Sequence, residues 1–255
     1  PLDGLVQVLH LIGNHELYNF NREDCARLIP QITPWYQSFR PSPGWRVIVL
    51  DSFDLNVIER GGGADVEEGL AYLGQHNPND LRAPRGTVDF GHGLQGMQRR
   101  FMPMGGALRP AQLRWLEREL LSAAEEDERA IVLTHVPIHP NATVAGGLLW
   151  NYEEVLQAFR RAGQGRVALV LAGHFHSGGY ALDRATGTHH VTLPSPLHTE
   201  EAEPRAHCTV EVFGDRVEIR GRGLVPSRTL ALQRAVRANP SMRGAAIEPL
   251  IASSL

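Results

Sequence analysis

The chain has 255 residues, of which 42% are hydrophobic and 21% charged, and its formal net charge at pH 7 is −3. This length and composition suit one α/β domain with a substantial core, while the acidic balance and the lack of a basic, aromatic-interleaved stripe exclude a nucleic-acid partner. The sequence contains no run of eighteen apolar residues, so we expect no membrane partner. Its two cysteines imply no disulfide framework, which favours a reducing, cytoplasmic compartment.

Apolar runs alternate with amphipathic segments along the chain, an order typical of an α/β domain. Four of these runs predict buried strands, at residues 5–12, 46–50, 130–133 and 167–172. Farther along, alternating residues on both sides of Gly214-Asp215 predict a hairpin over residues 208–220.

Two segments predict helices. Residues 110–124 begin with proline, which is favoured at the first helical turn, and their leucines recur on one face. The second helix follows Asn151, because residues 151–154 resemble a capping box and Asn151 is a suitable N-cap.

Residues 52–106 are rich in Gly, Asn and Pro and have little apolar periodicity. Segments of that length are usually functional or disordered, so a substrate-covering insertion and a mobile surface segment remain alternatives. The end of the chain, which includes Asn239-Pro240 and a Ser-rich terminus, predicts a partly disordered tail. We therefore expect one domain at residues 1–228, with a long insertion at 52–106, and a tail at 229–255.

Three histidine-bearing turns each follow an apolar run: residues 13–16 (Gly-Asn-His-Glu), 134–135 (Thr-His) and 173–176 (Gly-His-Phe-His). We expect each glycine to let the backbone turn sharply, which aims the next side chain into a shared pocket. Strand ends are where open α/β sheets collect ligand groups. A single histidine in such a place is most often a hydrogen-bonded loop residue. Four histidines and one asparagine at three such ends together predict a metal site.

Two other motif matches are weaker. Residues 91–96 match the dinucleotide fingerprint, but Pro103 cuts off any long helix after them and the βαβ context is missing. His135 and His139 have the spacing of a zinc-protease helix, but Pro137 lies between them. Neither match predicts a site.

The three histidine turns resemble the second half of the signature of calcineurin-like metallophosphoesterases. That resemblance implies a two-sheet αββα sandwich around two divalent ions. By the same resemblance Asn14, His135 and His174 bind one ion and His176 binds the other. His15 then contacts the leaving group or a phosphoryl oxygen.

A narrower resemblance covers nearly the whole chain. Five stretches are similar to the manganese-dependent ADP-ribose/CDP-alcohol diphosphatases: residues 13–20, 149–156, 178–180, 221–223 and 225–228. This likeness implies Mn²⁺ as cofactor, with zinc, iron and cobalt left open because a mixed N/O ligand set does not select one metal. It also implies small-molecule nucleoside diphosphate conjugates as partners. Tyr18, Phe20 and Tyr180 lie beside the motifs and are candidates to stack on a base, the alternative being that they pack the loops.

The family signature also contains two Asp-bearing strand ends ahead of the first turn, one of which supplies a bridging carboxylate. Only twelve residues precede Gly13. We therefore expect the first strands of the sandwich to be lacking and the chain as written to hold one ion weakly, since two cations repel without negative charge between them.

The leading hypothesis is a metal-dependent hydrolase that cleaves the phosphoanhydride bond of ADP-ribose, CDP-alcohols or related conjugates. Its products are a nucleoside monophosphate and a phosphorylated alcohol or sugar. One alternative is a non-catalytic binding protein with the same fold, because the bridging carboxylate is expected to be absent. Another is a phosphodiesterase or phosphatase of the same superfamily.

Overall fold

The computed structural model describes residues 8–84, 86–198 and 205–236. The α-helices are α1 (Asn14–Asn19), α2 (Arg22–Leu28), α3 (Ala64–Gly74), α4 (Pro110–Glu125) and α5 (Tyr152–Ala162). The strands are β1 (Gln37–Ser42), β2 (Trp45–Val49), β3 (Arg129–Leu133), β4 (Val167–Ala172), β5 (Gly179–Asp183), β6 (Thr188–Thr192), β7 (Ala206–Val212), β8 (Arg216–Gly223) and β9 (Arg228–Ala231).

The strands form two sheets. Six of them make a mixed sheet in the order β1-β2-β3-β4-β6-β5, and the other three make an antiparallel sheet in the order β7-β8-β9. In the large sheet β2, β3, β4 and β6 run parallel, while β1 and β5 pair antiparallel at its two edges. These sheets confirm the predicted α/β class. Because parallel strands end at the same edge, the loops after β2, β3, β4 and β6 lie near one another.

The large sheet is covered on both faces. One apolar cluster joins Val132 of β3 to Leu116 of α4 and Phe159 of α5. A second cluster joins Val47 of β2 to Val217 of β8 and so fills the space between the two sheets. No helix within the described ranges contributes to that second cluster. Helices, large sheet and small sheet therefore form three layers of the expected sandwich.

Most of the predicted elements are present. The strands predicted at residues 46–50, 130–133 and 167–172 are β2, β3 and β4, the two helices are α4 and α5, and the hairpin is β7–β8. The strand predicted at residues 5–12 is not found over residues 8–12, and residues 5–7 lie outside the described ranges. Asn151 is the N-cap residue of α5, as predicted, but its side chain makes no capping hydrogen bond. Its amide exchanges two hydrogen bonds with the backbone of Leu108 instead.

The stretch at residues 52–106 is not a loop throughout, since it contains α3 and a 3-10 turn at Gly96–Arg100. Its apolar side chains form a third cluster with Trp150, which is fully buried. The backbones of Leu55 and Ala107 bond to each other and close the base of this lobe. Packing against Trp150 therefore orders a segment whose own apolar pattern is weak.

The predicted tail begins inside regular structure. Arg228–Ala231 forms β9, which pairs with β8, and residues 237–255 lie outside the described ranges. No helix in the part of the chain that is described combines the length and apolar surface needed to cross a membrane.

His190 on β6 is a buried histidine without a polar partner. The residue is 2% exposed, and neither ring nitrogen has a hydrogen-bond partner among the described residues. Its ring centroid lies 4.8 Å from that of His139 and 6.3 Å from that of Phe159. Burial, followed by the charge of His139, lowers the pKa of His190 to about 3. The ring is therefore neutral at pH 7.

Replacement of this histidine is predicted to remove an acid-side loss of stability. The unfolded chain takes up a proton at this residue near pH 6.5, whereas the folded chain does so only near pH 3. The stabilising contribution of the neutral ring is thus complete above pH 6.5 and is lost as the pH falls from there toward 3. The free energy of unfolding of His190→Leu, relative to that of wild type, should therefore be about 2 kcal/mol more favourable to the folded state at pH 5 than at pH 8. Urea unfolding at the two pH values measures this change.

The control for that experiment is His207→Ala, a change of an exposed histidine on β7. Measured at the same two pH values, this control shows the effect of removing an imidazole that is not buried in the core. A His190→Leu difference that is equal at pH 5 and pH 8 would contradict the assignment of the acid-side loss to His190.

Candidate functional site

The edge at which the parallel strands end carries the predicted metal-binding motifs. His135 follows β3, His174 and His176 follow β4, and α1 begins with Asn14 and His15. Two of the three histidine turns are therefore strand ends, as expected. The third is the first turn of a helix rather than the end of a strand.

Three side chains converge at this edge. Asn14 Oδ1 lies 2.9 Å from His135 Nε2 and 3.2 Å from His174 Nδ1. Asn14 Nδ2 donates a hydrogen bond to the Tyr18 hydroxyl at 3.1 Å, and this contact turns the amide oxygen toward the two imidazoles. These three contacts therefore decide which terminal amide atom of Asn14 is the oxygen and which is the nitrogen.

The spacing of these atoms fits one divalent cation. Two nitrogen or oxygen ligands at about 2.1 Å from a first-row ion and at right angles to each other are about 3.0 Å apart. In the described residues, no three His, Cys, Asp or Glu side chains are grouped to hold an ion. The convergent set instead consists of two imidazoles and one amide, so its oxygen comes from a neutral group.

Both convergent imidazoles are neutral. Burial, followed by the charges of His174, His15 and His176, lowers the pKa of His135 to about 3. Burial, followed by the charges of His176 and His15, lowers the pKa of His174 to about 4. A neutral imidazole has a nitrogen lone pair for a metal ion. The protonation state at pH 7 therefore suits ligation.

Gly13 is required by a close approach, not by the sharp turn that the sequence suggests. Its φ of −117° and ψ of 176° are ordinary extended values. A Cβ atom on this residue would lie 2.8 Å from His135 Cε1 and 2.9 Å from Glu16 Oε2. Glu16 Oε2 in turn accepts a hydrogen bond from Gly13 N at 2.8 Å and caps α1. The glycine thus fits between a ring and a carboxylate.

The strained residue of the site is His174 itself. Its φ is +62°, in the left-handed region that non-glycine residues rarely adopt, whereas the preceding Gly173 has no such angle. That conformation costs roughly 1–2 kcal/mol for a residue with a Cβ atom. Gly173 N donates to His135 O at 2.9 Å and ties the two turns together. Strain of this kind is found where the surrounding structure holds a functional side chain in place.

A cleft of about 530 Å³ opens beside the convergent side chains. His15 is exposed on its wall, and its ring centroid lies 6.2 Å from that of His176 and 5.7 Å from that of Tyr18. The cleft is lined by Asn14, His15, Tyr18, Met104, Val144, Gly146, Gly147, His174, Phe175 and His176. It is therefore lined both by imidazoles and by apolar side chains.

Two of the three aromatic candidates lie elsewhere. Phe20 is 41% exposed at the end of α1 and does not line the cleft. Tyr180 packs against the cluster between the sheets, where its hydroxyl lies 3.0 Å from His189 Nδ1 and the Arg228 guanidinium covers its ring. The placement of Phe20 and Tyr180 in a base-binding pocket is corrected accordingly, and Tyr180 has the packing role given as its alternative. Tyr18 lies on the cleft wall.

The structure adds residues that the sequence analysis missed. Phe53, which follows β2, has its ring centroid 5.7 Å from that of His135 and 6.4 Å from that of His174. His198, which follows β6, has Nε2 at 3.2 Å from His176 Nδ1. Both residues follow parallel strands that end at this edge, so the strand-end rule applied to all four strands would have found them.

The carboxylate of Asp51, at the end of β2, forms an ion pair with Arg22. Asp51 is 2% exposed, and its Oδ2 lies 2.7 Å from Arg22 Nη1. Burial raises the pKa of Asp51, and the Arg22 charge acts against that rise. This acid supports the loop after β2 by accepting a hydrogen bond from Phe53 N at 3.0 Å.

Comparison with known proteins identifies related chains. A family profile described as calcineurin-like phosphoesterase matches residues 2–178. A protein from Xenopus tropicalis is 34% identical over 249 residues, which cover 88% of this chain and 69% of that protein. A protein from Mus musculus is 33% identical over 248 residues, covering 90% and 69%. Both are named manganese-dependent ADP-ribose/CDP-alcohol diphosphatase.

A solved structure is also similar. It is a crystal structure of a dimetal phosphatase from Danio rerio, with a TM-score of 0.76 and 32% sequence identity. The match covers 89% of this chain and 73% of that one.

The close approach at residue 13 leads to a test. Gly13→Ala places a methyl group inside van der Waals contact with His135 and Glu16, so one of the two must move. We expect a loss of about 1–3 kcal/mol in the free energy of unfolding, measured by urea denaturation. Gly74→Ala at the end of α3 is the matched control, because a Cβ there meets nothing within 4 Å. Equal stability of the two variants would show that Gly13 is not constrained.

Proposed function

Because the chain belongs to the calcineurin-like phosphoesterase family, we propose that it is a manganese-dependent diphosphatase of nucleoside diphosphate conjugates. The proposed substrates are of the ADP-ribose and CDP-alcohol type. Hydrolysis of their phosphoanhydride bond gives a nucleoside monophosphate and a phosphorylated alcohol or sugar. The observation that carries the proposal is the convergence of Asn14 Oδ1 with two neutral imidazoles beside a cleft.

In this proposal Asn14, His135 and His174 hold one manganese ion, and His176 on the same cleft belongs to a second. The donor set fits, since it consists of neutral oxygen and nitrogen ligands at a spacing suited to one ion. Divalent ions, when bound, place positive charge against phosphoryl oxygens and acidify water. Zinc, iron and cobalt accept the same ligand types, so the identity of the bound metal has to be determined by metal analysis.

His15 is the proposed catalytic residue. It is exposed on the cleft wall next to Asn14, where its ring can reach a phosphate group held at the convergent side chains. From there it donates a hydrogen bond to a phosphoryl oxygen or a proton to the departing oxygen. Tyr18 supports this arrangement from the same helix by fixing the Asn14 amide.

The apolar part of the cleft lining suits the nucleoside end of a conjugate. Met104, Val144 and Phe175 present apolar surface there, and Gly146 and Gly147 leave room beside them. A base or sugar that covers such a wall is removed from water while its diphosphate faces the imidazoles. A volume of about 530 Å³ is in the range of small-molecule sites, which supports a small conjugate over a macromolecular substrate.

Removal of a convergent imidazole is predicted to weaken metal binding. His135→Ala and His174→Ala should each lower the affinity for Mn²⁺ at least about tenfold, because each deletes one of three ligands. The measurement is titration of free Mn²⁺ by electron paramagnetic resonance, with circular dichroism to establish folding. His139→Ala is the matched control, since His139 packs against His190 outside the cleft. Wild-type affinity in both ligand variants would refute the proposed site.

Substitution of the exposed histidine is predicted to affect turnover and not metal binding. With Mn²⁺, the wild-type chain should release AMP from ADP-ribose and CMP from CDP-choline. His15→Ala should lower kcat about 10²- to 10⁴-fold while Mn²⁺ affinity stays near the wild-type value. A wild-type chain that binds Mn²⁺ and releases neither nucleotide would contradict the proposal and favour a non-catalytic role.

A further inference from the structure

His198 and His176 join two of the loops at the site. The ring centroids are 5.0 Å apart and the ring planes are nearly perpendicular, at 84°. His198 ends the 3-10 turn Pro196–His198, in which His198 N donates to Ser195 O at 3.2 Å. Ser195 N donates to His176 O at 3.0 Å. The loop after β6 is therefore fixed to His176 through both its backbone and its side chain.

The contact between the two rings restricts their protons. His176 Nδ1 and His198 Nε2 are 3.2 Å apart, a distance at which one nitrogen donates and the other accepts. A neutral imidazole has one N–H and one lone pair. If His176 accepted at Nδ1, its single hydrogen would be on Nε2 and the ring would have no lone pair for an ion. If His176 donates at Nδ1, its Nε2 carries the lone pair.

We propose that His198 is a positioning residue that accepts the Nδ1–H of His176 and thereby leaves the Nε2 lone pair of His176 for a divalent ion. This inference rests on the proposed function, which assigns His176 as a ligand. Histidine ligands commonly donate their other ring N–H to a carboxylate, a carbonyl oxygen or water, and that partner fixes both the tautomer and the ring plane. Here an imidazole takes that place.

The His176 ring is also a neighbour of His15, the proposed catalytic residue. The rings of His15 and His176 are stacked with 26° between their planes, while His198 meets His176 at its edge. His176 is thus held between the two other imidazoles. His198 therefore orients a ring that lies next to His15.

The first test reads the tautomer directly in the metal-free 255-residue chain. Long-range ¹H–¹⁵N correlation of the labelled histidines should show His176 as the Nδ1–H form. His198→Ala should convert it to the Nε2–H form or to a mixture. His198→Gln should restore the Nδ1–H form, because the glutamine amide reaches the former position of Nε2 and its oxygen can accept. His207→Ala, a change of an exposed histidine on β7, should leave the His176 signals unchanged.

The second test measures Mn²⁺ affinity on the same variants. His198→Ala should weaken binding about tenfold, and His198→Gln should recover most of that loss. A wild-type His176 with its proton on Nε2, or an unchanged tautomer in His198→Ala, would overturn the inference. Failure of the proposed function has a different signature: His176→Ala would keep full Mn²⁺ affinity while the tautomer of wild-type His176 still depended on His198.

Discussion

The contact of one amide oxygen with two imidazoles determines the arrangement of the site. Asn14 Oδ1 contacts His135 and His174, which lie 121 and 160 positions after Asn14 in the sequence. This meeting requires parallel strands that end at one edge, so that His135 and His174 start close together. It also requires that α1 approach them closely, which only a residue without a Cβ atom at position 13 permits. The ligand geometry is therefore a property of the sheet and of one helix packed against it.

The imidazoles at this edge differ in their exposure to water, and that difference separates their roles. Desolvation is the largest cause of the low pKa values of His135 and His174, and it keeps both rings neutral. His15, in contrast, is exposed on the wall of the cleft. Between them, the His176 ring has neighbours on both sides and a lowered pKa, for which burial is again the largest cause. In the proposed function, one local cluster thus provides both the metal ligands and a proton-transfer group.

Local sequence patterns predicted where the strands and helices lie, but they predicted less well which side chains come into contact. Apolar runs followed by histidine located His135 and His174 at strand ends, because an apolar run and the residue after it are both encoded locally. Tyr180 was misplaced because a neighbouring motif does not show which face of β5 a side chain occupies. Residues 8–12 have the apolar content of a strand without forming one, since strand formation depends on a pairing partner. Phe53 and His198 could be found by the strand-end rule, but local patterns do not encode their contacts with His135 and His176.

If His174 is the metal ligand proposed above, its left-handed backbone opposes thermal stability to retention of the ion. Glycine at this position would relieve the strain, and asparagine tolerates the same angles better than histidine does, yet each removes the imidazole. A library selected only for survival at high temperature would therefore be enriched in those two residues, whereas a library selected for metal retention would keep histidine. At this position the residue that gives the highest thermal stability therefore differs from the residue that retains the metal.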